Sequence, residues 1–154
     1  MQILSLSQEI IPQLEDFLLL QRKSDSQHFF APHAYDRVSL EKLVKAIGQD
    51  VYLVAVHQNK VLAYGMLRGW DAGFSVPSLG IAVSSGYQGI GLGRGMMGWL
   101  HCNAVVRGAV KVRLRVLSTN ENAIKLYRSL GYEFATDIKA SDYLIGYVNL
   151  KMQS

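Results

Sequence analysis

Ser78-Leu79-Gly80-Ile81-Ala82-Val83, then Ser84-Ser85-Gly86-Tyr87, then Gln88-Gly89-Ile90-Gly91-Leu92-Gly93-Arg94-Gly95 is the stretch on which the fold turns. An apolar run with strand character feeds a turn that has glycine at nearly every second position. A helical pattern begins inside that turn and runs to Arg107-Gly108. Residues without Cβ let the backbone come close to a ligand and adopt positive φ. The exposed N–H groups of the helix start then face that ligand with the positive end of the helix dipole. A phosphate or pyrophosphate suits such a nest. The same glycines could instead serve only to pack helix against strand. A Walker A loop needs Gly-Lys-Ser/Thr at its close, and Gly93 is followed by Arg94-Gly95. A dinucleotide fingerprint, G-x-G-x-x-G, fails too: its third glycine falls on Arg94 counted from Gly89, and on Met96 counted from Gly91.

Working outward, residues 111–117 alternate as a strand does, residues 120–130 read as a helix, and Gly131 closes it as a C′ residue. Two strands follow, at 132–136 and 143–152. Upstream, residues 1–6 form a short strand. Ser7 is a candidate N-cap for a helix with Ile10, Leu14, Phe17 and Leu18 on one face. Residues 23–38 read as a loop. Ser39 is a candidate cap for a second helix bearing Leu40, Leu43, Val44 and Ile47, stopped by Gly48. Residues 51–57 and 61–68 are strands joined by the short turn Gln58-Asn59-Lys60, an antiparallel hairpin. The order β-α-α-β-β-β-α-β-α-β-β implies a mixed α/β sheet with helices on both faces. No repeat, linker or low-complexity segment divides residues 1–154, which read as one domain.

A second segment of interest is Asn120-Glu121-Asn122-Ala123-Ile124-Lys125-Leu126-Tyr127-Arg128-Ser129-Leu130-Gly131-Tyr132. Asn120 and Tyr127 lie two helical turns apart and share a face, with the small Ala123 between them. The glycine stretch from Gln88 to Gly93 fits the pattern Q/R-x-x-G-x-G/A. The downstream segment fits N-x-x-A-x-x-x-Y-x-x-x-G-F/Y. In this order, each beside a strand, they resemble the two motifs of the GNAT acetyltransferase family. The resemblance runs from Val51 to Tyr147 and is weakest before Val51. It implies a central mixed, mostly antiparallel sheet of about seven strands flanked by about four helices. It also implies acetyl-CoA as cosubstrate. Gln88, Gly89, Ile90, Gly91, Leu92, Gly93 and Arg94 would cradle its pyrophosphate. The main chain of Ile81, Ala82 and Val83 would pair with the pantetheine arm, Asn120 would contact that arm, and Tyr127 would be the general acid that protonates the leaving thiolate. The bland alternative for Tyr127 is a ring packed in the core.

The acceptor side is less defined. Between the first two helices stands His28-Phe29-Phe30-Ala31-Pro32-His33-Ala34-Tyr35-Asp36, aromatic groups among polar ones. Phe30, His33 and Tyr35 suit a ring-shaped or sugar-like amine through stacking and hydrogen bonds, or else belong to a loop tucked into the core. The third and fourth strand region resembles acyltransferases that act on nucleotide-linked amino sugars, in Arg68-Gly69-Trp70-Asp71 and in Pro77-Ser78-Leu79-Gly80. Many family members carry a glutamate on the fourth strand. Here that strand has Ser78, and Asp71 is the nearest upstream acid. Ser78 and Asp71 are therefore added to the acceptor candidates.

Composition excludes several classes. Apolar residues make up 49% and charged residues 18% of the 154-residue chain, which argues for a packed core. Its one cysteine, Cys102, rules out an internal disulfide and a cysteine-rich zinc site, so a reducing cytoplasm is the default compartment. Cys102 lies among Trp99, Leu100, Val105 and Val106 and reads as a buried structural thiol. His28 and His33 lack acidic companions, so no metal is expected. The net charge of +4 is dispersed, with no basic stripe for nucleic acid. No apolar run reaches a membrane span, and residues 1–10 lack the pattern of a secretory signal. The expectation is direct acetyl transfer to a primary amine of a small molecule, an amino sugar or its nucleotide-linked form leading. The rivals are a protein or peptide N-terminal acetyltransferase and a non-catalytic acyl-CoA-binding regulatory domain. A homodimer is compatible with the sequence.

Overall fold

The computed structural model describes residues 1–24, 33–140 and 142–150. In chain order it has β1 (Gln2–Ser5), α1 (Ile11–Ser24), α2 (Arg37–Ala46), β2 (Val51–His57), β3 (Lys60–Arg68), β4 (Ser78–Val83), α3 (Leu92–Val106), β5 (Lys111–Leu117), α4 (Glu121–Ser129), β6 (Glu133–Thr136) and β7 (Tyr143–Asn149). The strands make one mixed sheet of seven in the order β1-β2-β3-β4-β5-β7-β6. Only β4 and β5 run parallel; the other neighbours are antiparallel. The mixed α/β sheet with four helices agrees with the expectation from sequence.

Local chemistry explains most boundaries. Gln58 and Asn59 adopt φ of 49° and 62°, a two-residue hairpin turn whose twist matches the strands it joins. Asp36, rather than Ser39, caps α2: its carboxylate accepts from the Ser39 N–H at 3.0 Å and from the Ser39 hydroxyl at 2.6 Å. Ser39 is thus the donor in this cap. Ser7 precedes a short 3-10 turn and makes no side-chain cap bond, and α1 begins at Ile11 with Pro12 in its first turn, where a missing N–H does no harm.

Strand alternation sorts the side chains onto two faces. On one, α1 and α2 bury Leu14, Leu18 and Leu40 against Tyr52, Val54, Tyr64 and Met66. On the other, α3 and α4 bury Met96, Met97 and Leu100 against Leu67, Val112 and Leu114. Each such side chain contributes ~1.5–3 kcal/mol on leaving water. Cys102 is exposed, contrary to the expectation. α3 turns Met96, Leu100 and Ala104 to the sheet, and Cys102 falls on the outer side with Trp99 and Val106.

One irregularity matters most. The parallel pair β4–β5 has only two registered positions, Ser78↔Arg113 and Leu79↔Leu114. Beyond Leu79 the strands part, and a wedge opens between them.

Candidate active site

A cavity of about 880 Å³ occupies this wedge. Its walls come from β4 (Ile81, Ala82, Val83), the glycine turn, the start and middle of α4, and Leu18 and Gln21 of α1. Strand β4 is paired along its whole length with β3, but among the described residues its other edge has no strand partner from Gly80 to Val83. A strand edge with free N–H and C=O groups is a template for an extended, amide-bearing ligand. Part of that edge is already engaged: the Val83 carbonyl accepts from the Gln21 side chain at 3.1 Å and from Gln88 at 3.5 Å.

The glycine turn answers the packing alternative raised by the sequence. A Cβ built on Gly89, Gly91 or Gly95 would meet nothing within 4 Å, and one on Gly93 only ordinary contacts at 3.6 Å. Close packing is the business of Gly65, whose Cβ would stand 2.9 Å from Met96 and Leu100, and of Gly146, 2.7 Å from Phe134. Gly89 and Gly91 instead have φ of 80° and 91°, a region that side chains disfavour. Gly91 is the N-cap of α3, and its carbonyl accepts the N–H of Gly95 at 2.9 Å. The N–H groups of Leu92, Gly93 and Arg94 lie ahead of that first bond and have no intrahelical acceptor. Gly89, Gly91, Gly93 and Arg94 border the cavity. The chemistry of this donor set fits a pyrophosphate. The Ile90 side chain is 71% exposed and that of Leu92 is buried in the core, so neither lines the space. Arg94 is tied to α4 by a 2.8 Å bond from its guanidinium to the Ser129 hydroxyl.

Helix α4 supplies the opposite wall. Asn120 is its N-cap, just outside the helix, and its Oδ1 accepts the Ala123 N–H at 3.3 Å. Its Nδ2 has no hydrogen-bond acceptor among the described residues. Tyr127 borders the same cavity while its ring packs against Tyr132 and Phe134, at centroid distances of 5.8 and 6.4 Å. Burial pushes its phenol pKa up to about 12. Its proton therefore stays in place throughout the neutral range. Among the described residues that line this cavity, Glu121 alone carries a carboxylate. Among the described residues, no cluster of three His, Cys, Asp or Glu is placed to hold a metal.

The acceptor candidates do not gather in one place. Phe30 lies outside the described residues. His33 Nδ1–H donates to the Ala34 carbonyl at 2.8 Å, so Nε2 accepts from the Tyr64 hydroxyl, also at 2.8 Å. Its ring packs edge-on to Tyr52 and Tyr64, and burial lowers its pKa. The Tyr35 hydroxyl accepts from Arg22 at 2.6 Å. Asp71 is occupied in holding a turn. Its carboxylate accepts the N–H groups of Gln49 (2.6 Å), Gly48 (3.0 Å) and Asp50 (3.3 Å), which lower its pKa. Ser78 lines a second cavity, about 560 Å³, with Arg68, Phe74, Arg113 and Tyr147. Nothing in the sequence pointed to Gln21, on an ordinary amphipathic helix, or to Arg113, one charge in an alternating strand.

Among the described residues no helix is long and apolar enough to cross a membrane. Comparison with known proteins gives the family. A model described as an acetyltransferase (GNAT) domain matches residues 48–134, more than half the chain. No curated protein matches it significantly. Several solved structures share the fold. The ribosomal-protein-alanine N-acetyltransferase of Brucella melitensis is 18% identical with a TM-score of 0.79, covering 97% of this chain and 100% of its own. The ribosomal-protein-S18-alanine N-acetyltransferase of Escherichia coli is 23% identical with a TM-score of 0.71, covering 99% and 96%. The GNAT domain of S. lividans PAT is 17% identical with a TM-score of 0.79, covering 96% and 89%. Identities this low speak for the fold; the family model speaks for descent. The chain belongs to the GNAT family of acyltransferases, which use acetyl-CoA as cosubstrate.

Proposed function

We propose that this protein transfers the acetyl group of acetyl-CoA directly to a primary amine of a small molecule, with amino sugars and their nucleotide-linked forms as the leading class. The observation that carries this reading is the wedge cavity, where the glycine turn, the unpaired edge of β4 and Tyr127 face one space. The second cavity supports a small acceptor, since about 560 Å³ is the size of small-molecule sites.

Bound acetyl-CoA supplies an acyl thioester and a thiolate leaving group. The N–H groups at the start of α3 bind the pyrophosphate, with Gln88 and Arg94 at the rim. The free edge of β4 at Ile81, Ala82 and Val83 orients the pantetheine amides, and the Asn120 Nδ2 donates to that arm. The acceptor nitrogen, as the neutral amine, forms the new C–N bond as the C–S bond breaks. Tyr127 donates its proton to the departing sulfur, giving the free thiol, while the acylated nitrogen sheds one proton to solvent and the phenolate takes one back, so that the amide, the thiol and the neutral phenol remain. Its raised pKa keeps that proton available across the working range.

The test is an amine panel with acetyl-CoA, following free thiol and acetylated product. Turnover on small amines, with amino sugars ahead, is the expected result. Acetylation of peptide N-termini alone would replace this acceptor class with a protein one. Tight acetyl-CoA binding without turnover on any amine would leave an acyl-CoA-binding domain.

A further inference from the structure

We propose that the second cavity is an oxyanion site, which selects an acceptor amine that also carries a carboxylate or phosphate. The inference rests on the acceptor reading above and narrows it.

Four residues stand in one lateral row across the sheet: Arg68 is registered with Ser78, Ser78 with Arg113, and Arg113 with Tyr147. Registered neighbours share a face, so all four project to the side of α1 and α2. Those helices pack mainly over β2 and β3, which leaves Arg113 and Tyr147 beyond their cover. Strands lie about 4.8 Å apart, which sets Arg68 and Arg113 about 10 Å from each other across Ser78. That separation admits one oxyanion between two guanidinium groups. The floor is low because β4 lines it on this face with Ser78 and Gly80, both small.

Arg113 is the central observation. Its Nε is buried and has no acceptor among the described residues. Neighbouring cations on β5 are provided for: Arg115 pairs with Asp137 at 3.2 Å and lies over the Tyr143 ring, and Lys111 lies over the Tyr147 ring. A buried guanidinium N–H without an acceptor is unfavourable, and an anionic ligand oxygen removes that cost with a charge-assisted bond. Arg68 sits beside the Tyr52 hydroxyl and adds a second positive charge. Asp50 also borders the cavity, but its Oδ1 accepts the backbone N–H groups of Gly69 and Asp71, each at 3.1 Å. Among the described residues that line the cavity, Arg68 and Arg113 are the cations and Asp50 is the one carboxylate.

Position ties this site to the reaction. Gly80 lines the small cavity and Ile81, the next residue, lines the large one. They point to opposite faces of β4, beside the gap left where β5 parts from it. An acceptor anchored by its anion at Arg113 can reach through that gap with its amine.

Binding is measured rather than turnover, on protein saturated with CoA so that the large cavity is filled. Two matched pairs are titrated by calorimetry: glucosamine against glucosamine 6-phosphate, and tyramine against tyrosine. In at least one pair the anionic member should bind about tenfold tighter, the scale of one charge-assisted contact. The pair that shows it identifies phosphate or carboxylate as the group. Arg113→Gln should abolish the preference with the melt and CoA affinity unchanged, and Arg113→Lys should restore part of it. If Arg113→Gln melts early, Ser78→Leu, which fills the floor, gives the same readout. No preference in either pair, binding of no member, or a preference that survives these variants overturns the proposal. Anion-selective binding without turnover would instead keep this site and sink the transferase reading.

Discussion

The two cavities flank the same strand and are built in opposite ways. The large one offers main-chain groups to a ligand: positive-φ glycines, the first N–H groups of α3, and a strand edge with no strand beside it among the described residues. The small one is walled by side chains from separate strands, Arg68, Ser78, Arg113 and Tyr147. Main-chain donors suit a ligand that the whole family shares, because they survive substitution of every side chain except the glycines. Side-chain walls change with each residue and suit an acceptor peculiar to one member. A change to the first cavity should therefore act on acetyl-CoA, and a change to the second on the amine.

The largest effect tests the one side chain on which the first cavity depends for chemistry. Tyr127→Phe keeps the ring that packs on Tyr132 and Phe134 and removes only the hydroxyl. It should lower kcat by roughly 10²–10⁴-fold, the usual worth of general acid help, with acetyl-CoA affinity and melting temperature held. A kcat within about twofold of wild type takes the phenol out of the mechanism.

Next comes the main chain itself. Gly91→Val places a β-branched residue at φ 91°, where nothing crowds its Cβ but the conformation is strained. Acetyl-CoA binding by calorimetry should weaken by about tenfold or more, equal to ~1.4 kcal/mol, and the melt should fall. Gly93→Ala separates the two causes. Gly93 is helical, and its Cβ would make only 3.6 Å contacts with Leu126 and Val83. Weaker affinity with an unchanged melt there points to blocked ligand approach. Unchanged affinity in both variants would mean that the pyrophosphate lies elsewhere.

A pH profile sharpens the comparison with no mutation. The acid works only below its pKa, and burial has pushed that of Tyr127 up to about 12. With the acceptor amine titrating on its own account, kcat should rise to a plateau and show no decline through pH 10. A descending limb near pH 10 would mean a phenol in contact with water.

The smallest effect marks where the acceptor side ends. His33 and His101 are held by burial below their ordinary pKa, so the folded state favours the neutral rings. The unfolded chain takes up protons near pH 6.5, so stability is complete above that pH and declines as pH falls below it. His33→Gln should flatten part of the decline of melting temperature between pH 7 and 5. It should also lower the melt at pH 7, because the bonds to Tyr64 and Ala34 are scaffold contacts. A raised acceptor KM with an unmoved melt would return His33 to the acceptor wall.

What could be read without coordinates was whatever the residues impose locally. The glycine turn, the strand before it, the helix after it and the Asn120–Tyr127 spacing are matters of φ, capping and helical period, all short-range. The hairpin at Gln58-Asn59 and the closing Gly131, at φ 96°, were legible for the same reason. Four things needed the tertiary structure. Whether the turn's glycines serve packing depended on what stands over them, and among the described residues nothing lies within 4 Å of a Cβ on Gly89, Gly91 or Gly95. Which side of α3 is buried could not be seen in a helix with Met96, Met97, Trp99, Leu100, Val105 and Val106 spread around it, and so Cys102 was placed inside. Asp71 looked like a free acid until the turn at 48–50 was brought against it. The row from Arg68 to Tyr147 exists only because sheet order sets β3, β4, β5 and β7 side by side. Lateral register is a property of the assembled sheet, and no stretch of sequence holds it.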